Sequence, residues 1–218
     1  MLIAGIEEAG RGPVIGPLVV CGVLVEQDRL KELMSIGVKD SKMLSPERRE
    51  ELFPKIKAIA KKVHCIKITA KEIDGREERG LNLNDLEAIN MAKIADILKA
   101  DRVIIDAPST NIPAITKQIR DLMKHDCELI LEHKADVKYP VVSAASIIAK
   151  VTRDQEVVKI EDVLKLKIGS GYPSDPITQK FLDTYWSQLS EIPFIRNSWD
   201  TIKRLKAKKG QMNISKYF

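Results

Sequence analysis

The chain has 218 residues, 44% of them hydrophobic and 31% charged, a balance that excludes a disordered tail protein and a fibrous one. That length suits one ordinary domain, or a domain with an appendage, able to bury a core without covalent staples. A formal net charge of +5 admits a nucleic-acid partner without establishing one, and the absence of any apolar run near the roughly 20 residues of a bilayer span excludes a transmembrane helix.

In chain order, LIAGI (2–6) and VIGPLVVCGVLVE (14–26) are rich in β-branched residues and predict two strands. Pro17 falls near the start of the second, where a missing donor is tolerated. Ser45 followed by Pro46 marks the start of a helix over PERREELFPKIKAIAKK, with a kink or break expected at Pro54. VHCIKIT (63–69) predicts a third strand. Asn84 with Glu87 three residues later resembles a capping box opening DLEAINMAKIADILK. RVIIDA (102–107) and CELILE (127–132) have the continuous apolar run of buried strands, and IPAITKQIRDLMKH between them fits a crossover helix, which predicts parallel neighbours. VVSAASIIAKVTRDQEVVKI predicts a closely packed, largely buried helix. After the turn-rich GSGYPSDP (169–176) the pattern reads as helical to about Leu205, and residues 196–218 carry seven Lys or Arg against Asp200 alone. The pattern as a whole predicts a mixed sheet with helices on both faces. Neither an internal repeat nor a low-complexity linker is present.

Cys21, Cys65 and Cys127 have no metal-type spacing and are expected to be reduced, buried thiols of a cytoplasmic protein. The N-terminus has no charged segment ahead of its apolar start, which predicts that the protein is not exported.

Acids gather at the carboxyl ends of the predicted strands, where open sheets with crossover helices form their sites. Glu7 and Glu8 end the first strand, Asp106 ends RVII, and Asp136 follows CELILE within LEHKADVKYP. Consecutive strand residues point to opposite faces, so Glu7 and Glu8 are expected to converge only where the chain leaves the strand, a departure eased by Gly10 and Gly12. Several carboxylates at one locus stay ionised only if cations neutralise them. Hard divalent ions, Mg²⁺ or Mn²⁺, suit oxygen ligands, and a pair of them supports phosphodiester hydrolysis. Any one of these acids taken singly reads first as a solvated loop end, and Glu132 qualifies as a ligand as well as Asp136 does.

Other chemistries find less support. His64, His125 and His133 are scattered, and neither a GxSxG elbow nor a GxxxxGK[ST] loop is present. Gly10, Gly12 and Gly16 begin like a dinucleotide fingerprint, but the spacing is wrong and Pro13 is followed by strand where a helix must start.

Five blocks, GIEEAGRGPVIGPLVV, KDSK (39–42), LEHKAD (131–136), YPVVSAASIIAKVTRD (139–154) and GSGYPSDP, occur in order between residue 2 and about residue 205 and resemble ribonuclease HII, in particular its archaeal members. The resemblance implies an α/β, ribonuclease H-like mixed five-stranded sheet flanked by helices, with a C-terminal helical extension. It divides the chain into a catalytic domain (1–178), the extension (179–210) and a tail (211–218). The implied activity is hydrolysis of the RNA strand of RNA/DNA hybrids and incision 5′ of ribonucleotides embedded in duplex DNA, leaving 3′-hydroxyl and 5′-phosphate ends, with two Mg²⁺ or Mn²⁺ ions. It assigns metal binding and catalysis to Glu7, Glu8, Asp106 and Asp136, and the choice of Asp136 over Glu132 comes from the resemblance. Gly10, Arg11 and Gly12 match the segment whose backbone recognises the 2′-hydroxyl, and Tyr172 the tyrosine that sits against the sugar. Lys42, Ser146, Lys150 and Arg153 fall in blocks near the substrate, as phosphate contacts or as support for the acids. The family has Asp where this chain has Glu7, and a longer side chain there implies lower activity. Two other readings remain open: a protein of the same fold that binds hybrids without cutting, and another phosphotransfer enzyme on the same core.

The final residues QMNISKYF fit the spacing Gln-x-x-aliphatic-x-x-aromatic-aromatic through Gln211, Ile214, Tyr217 and Phe218, which resembles the peptide by which replication and repair proteins dock on a sliding clamp. Lys203 to Lys209 just before it reads either as a duplex-phosphate surface or as a solvated helix face. A monomer is expected.

Overall fold

The structure, a computed structural model, describes residues 1–38 and 43–214, with side chains described up to residue 210. The chain packs as two compact units, neither contiguous in sequence: Met1–Ala9, Val19–Lys67 and Leu81–Thr152 form the first, and Gly10–Leu18, Ile68–Gly80 and Arg153–Phe218 the second.

The first unit is built on a five-stranded sheet in the order β3-β2-β1-β4-β5. Its strands are β1 (Leu2–Ala9), β2 (Leu18–Glu26), β3 (Lys62–Ile68), β4 (Arg102–Asp106) and β5 (Glu128–Glu132). β1 runs antiparallel to β2 and parallel to β4, which is parallel to β5, so the sheet is mixed as expected. The crossover between β4 and β5 is α5 (Ile112–Leu122), with Pro113 in its first turn and Asn111 as its N-cap.

Alternation along the strands sends side chains to two faces. Ile3, Val19, Cys21, Val23, Val25 and Ile104 join one buried cluster with Leu33 of α1 (Leu30–Ser35), Leu52 and Ile56 of α2 (Pro46–Ile59), and the first half of α7 (Pro140–Leu164). α7 lies so close to β1 that a Cβ on Gly5 would sit 2.4 Å from the backbone carbonyl of Val141. Across the sheet, a Cβ on Gly22 would meet Ile94 and Leu98 of α4 (Leu83–Leu98) at 2.4 and 2.7 Å. Helix backbone against Gly5 and the side chains of Ile94 and Leu98 against Gly22 explain a glycine in each of two central strands.

The second unit has its own apolar cluster, in which Val14 and Ile15 pack with Val157 and Ile160 from the second half of α7, Phe181 and Leu182 of α8 (Pro176–Thr184), and Ile202 of α9 (Asp200–Ile214). α3 (Ala70–Asp74) belongs to this unit, and α6 (Ala135–Lys138) to the first.

Several sequence expectations are corrected. β2 begins at Leu18 rather than Val14, because Gly16 adopts φ +91 and Pro17 lacks a donor; Ile15 makes an isolated bridge to Ile195 instead. α2 continues through Pro54 to Ile59. The capping box of α4 is Asn82 with Asp85, and Glu87 is a buried side chain one turn further in. The segment after GSGYPSDP is two helices, α8 and α9, separated by a turn-rich stretch containing Pro193. Cys21 and Cys65, expected as free thiols, form a disulfide between the neighbouring strands β2 and β3, while Cys127 is free and half-buried. A separation of 44 residues conceals from the sequence that the two face each other. Among the described residues no helix is long and apolar enough to cross a membrane.

Candidate active site

β1 does not end at the two glutamates. It continues to Ala9, with Glu7 opposite Cys21 and Glu8 opposite Val20 of β2. Alternation therefore assigns Glu7 to the face that carries α7 and Glu8 to the other. The register pairs Ile6 with Ile105, which sets Glu7 beside Asp106 at the end of β4.

Asp136 arrives from the turn after β5. Lys134 takes a left-handed conformation (φ 60), and the amide of Ala135 donates to Asp106 Oδ1 at 3.1 Å, so Asp106 fastens the turn that carries Asp136. One carboxylate oxygen from each of Glu7, Asp106 and Asp136 lies within 4.8 Å of the other two. Glu8 stands outside this trio, yet its charge reaches Glu7: burial, then Glu8 and Asp106, raise the Glu7 carboxyl well above its ordinary value of 4.5, and Lys150 opposes them.

Glu132 and Asp136, both open as ligands in the sequence, have different surroundings. Glu132 is taken by Lys138 and by the hydroxyl of Tyr139 at 3.0 Å, hydrogen bonds that lower its pKa. Asp136 is 1% exposed and joins the cluster.

These donors fit a hard divalent ion. All are carboxylate oxygens, the chemistry such ions prefer. Glu7 Oε2 is buried with no hydrogen-bond partner among the described residues, a costly arrangement for an isolated carboxylate that a coordinated cation removes. A cleft of about 390 Å³ between Met34 and Val38 on one side and Val137 to Ser143 on the other reaches Asp136.

Ser146 and Lys150 lie one turn apart on α7, and Lys150 Nζ donates to Ser146 Oγ at 2.5 Å. Ser146 is fully buried, and Lys150 acts electrostatically on Glu7, so both belong to the acids' surroundings.

In the second unit Gly10, Arg11 and Gly12 form a turn that needs glycine. Gly10 has φ +89, and a Cβ there would lie 2.8 Å from Pro17 O. A Cβ on Gly12 would touch the Tyr172 ring at 3.4 Å. Tyr172 is 39% exposed and stacks on the Arg153 guanidinium, 5.2 Å from the ring centroid. Arg153 is itself buried, donating to the carbonyl of Ser170 and pairing with Asp154 at 3.1 Å. The structure thus brings Gly10, Gly12, Arg153 and Tyr172 together. In the basic run of α9, Lys203 and Lys209 pair with Glu77 and Asp183, whereas Arg204 and Lys208 are exposed. Lys42, and the side chains of Gln211, Ile214, Tyr217 and Phe218, lie outside the described residues.

Sequence reasoning missed Arg196, read there only as one more basic residue near the C-terminus. It is fully buried, and its three nitrogens donate to Gly16 O at 2.9 Å, Arg11 O at 3.2 Å and Gly10 O at 2.7 Å. A separation of 180 residues from Gly16 left no local signal that could have found it.

Comparison with known proteins finds relatives over nearly the whole chain. Residues 4–202 match the family model for ribonuclease HII. Ribonuclease HII of Thermococcus sibiricus is 42% identical over 221 residues, covering 98% of this chain and 97% of that protein. The crystal structure of ribonuclease H2 from Pyrococcus horikoshii OT3 superposes with a TM-score of 0.87 at 40% identity, covering 95% and 98% of the two chains. The structure of the PCNA:RNase HII complex from Archaeoglobus fulgidus matches with a TM-score of 0.83 at 37% identity, covering 92% of this chain and 96% of the matched one.

Proposed function

The chain belongs to the ribonuclease HII family and is a ribonuclease H-type endonuclease; from that premise we propose that it hydrolyses the RNA strand of RNA/DNA hybrids and incises duplex DNA on the 5′ side of an embedded ribonucleotide, leaving 3′-hydroxyl and 5′-phosphate ends. The observation that carries this reading is the convergence of carboxylate oxygens from Glu7, Asp106 and Asp136, with Glu7 Oε2 buried and without a hydrogen-bond partner among the described residues.

In this reading Glu7, Asp106 and Asp136 hold two Mg²⁺ or Mn²⁺ ions, with Glu8 as a further ligand or charge partner. Such ions supply an activated water and neutralise the leaving oxygen of the phosphodiester. The chain's own residues set the position. Asp106 anchors the turn that carries Asp136, and Lys150 tempers the negative charge around Glu7.

The 2′-hydroxyl is the local group that separates RNA from DNA, and it both donates and accepts. Gly10, Arg11 and Gly12 offer main-chain groups without an intervening Cβ, and Tyr172, backed by Arg153, offers a ring face to the sugar. Only Ala9 separates Glu8 from Gly10, so recognition of the sugar and placement of the acids share one short stretch of backbone. Arg11 supplies a cation suited to an adjacent phosphate.

The PCNA:RNase HII complex of Archaeoglobus fulgidus supports a further element, docking of Gln211, Ile214, Tyr217 and Phe218 on a sliding clamp.

The test is an end-mapped incision assay with Mg²⁺ or Mn²⁺ on a duplex carrying one ribonucleotide, beside a hybrid and an all-deoxy duplex. The expected result is a cut 5′ of the ribonucleotide and in the hybrid's RNA strand, with the all-deoxy duplex intact. Tight binding without a cut would instead favour a hybrid-binding protein, and cutting of all-deoxy duplex another phosphodiesterase.

A further inference from the structure

A guanidinium buried among main-chain carbonyls is an expensive way to fill space. Arg196 is fully buried, and burial together with the charge of Arg153 pushes its pKa down to about 9. An apolar side chain of similar volume would avoid the guanidinium's desolvation but would leave the carbonyls it faces without these donors, so the donors are what the cation contributes. Those donors reach three carbonyls of one loop: Gly10 and Arg11 at its start, and Gly16 just before β2. The indole of Trp199, 5.0 Å from the guanidinium carbon, holds the plane in place. Gly10 and Gly16 both adopt positive φ, +89 and +91, a region open to glycine among several, so the grip on their carbonyls selects one backbone path.

The carbonyls of Gly10 and Arg11 belong to the peptide units whose N–H groups are those of Arg11 and Gly12. Among the described residues no peptide bond is cis. In a trans unit the N–H points away from the C=O, so a cation bound on the carbonyl side turns both N–H groups away from Arg196. A charge-assisted hydrogen bond on the oxygen also polarises the peptide and makes its N–H a stronger donor.

We propose that Arg196 is a positioning residue for ribose recognition: by gripping the carbonyls of Gly10, Arg11 and Gly16 it fixes and polarises the backbone that reads the 2′-hydroxyl. This rests on the functional reading above and adds to it a specificity determinant outside the Gly-Arg-Gly segment. Arg196 touches neither the carboxylates nor the substrate in this scheme. Its loss therefore weakens discrimination between ribose and deoxyribose while leaving metal affinity intact.

The experiment uses the full chain and compares KM for a duplex with one ribonucleotide against the inhibition constant of the matching all-deoxy duplex. In Arg196→Met the ratio of the two constants should shrink by about tenfold or more, through a rise in KM rather than a fall in kcat, with Mn²⁺ affinity by calorimetry unchanged. Arg196→Lys should lose about fivefold, because one ammonium cannot fork to three carbonyls. If Arg196→Met does not fold, Arg196→Lys decides alone. A folded variant whose ratio equals that of the unsubstituted chain would overturn the proposal and assign Arg196 a purely structural role. An unsubstituted chain with no preference for the ribonucleotide would instead overturn the functional reading, and the inference with it.

Discussion

In the proposed scheme Glu7 is the residue on which the chemistry turns. It is 6% exposed, its second oxygen has no hydrogen-bond partner among the described residues, and Glu8 and Asp106 add to the burial that opposes its ionisation. Relative to the Asp that the family resemblance implies here, the added methylene of Glu7 pushes the carboxylate outward by roughly 1 Å, a displacement larger than productive sites tolerate. Glu7→Asp should therefore raise the incision rate at saturating Mg²⁺ by about tenfold or more, roughly 1.4 kcal/mol of barrier, and equal rates for the two forms would refute that geometry. The same burial makes a pH prediction for protein kept in chelator. The folded chain holds the Glu7 proton at pH values where the unfolded chain has released it, so stability falls as pH rises from about 4.5 through the raised folded value. Thermal midpoints measured in chelator at about pH 5 and about pH 8 should show this decline, and Glu7→Gln should flatten it. A decline of equal slope in both forms would assign it to other groups.

Among the elements, β1 and α7 do most to position the site, and their contact is backbone on backbone. Gly5 leaves no room for a methyl group, since its Cβ would lie 2.4 Å from Val141 C and O and 2.5 Å from Val142 N. Gly5→Ala should cost roughly 2–4 kcal/mol of unfolding free energy and displace Glu7, two residues along, so that denaturant midpoint and incision rate fall together. A variant with unchanged midpoint would show that α7 yields. Much of this level was legible in the sequence, because apolar periodicity and caps are local signals. The parallel pair β4 and β5 and their crossover α5 follow from the run-helix-run pattern of 102–132. Less legible were features settled by distant neighbours. The start of β2 depends on the bridge from Ile15 to Ile195, and the Cys21–Cys65 disulfide on a strand pairing that no spacing rule contains. The site divides in the same way. Asp106 and Asp136 stand out as strand-end acids, whereas the exclusion of Glu132 needs the partners Lys138 and Tyr139, and Arg196 needs a loop 180 residues away.

At the scale of the whole molecule, the first unit contains the carboxylates and the second contains Gly10, Arg11, Gly12, Arg153, Tyr172 and Arg196. In the proposed scheme chemistry and sugar recognition thus draw on different packed cores, each with its own apolar cluster. Residues 211–218 extend this division to assembly. Removing them should abolish capture by an immobilised sliding clamp and leave cleavage of short hybrids unchanged, and a truncated chain that still binds the clamp would refute the role proposed for the tail. The central claim is that Glu7, Asp106 and Asp136 together hold divalent metal, and calorimetric titration of Mn²⁺ into the full chain, beside Asp106→Asn and Asp136→Asn, tests it most directly. Saturable binding in the unsubstituted chain, weakened by about 10–100-fold in each variant along with incision, is the predicted result; equal Mn²⁺ affinity in all three folded proteins would contradict it.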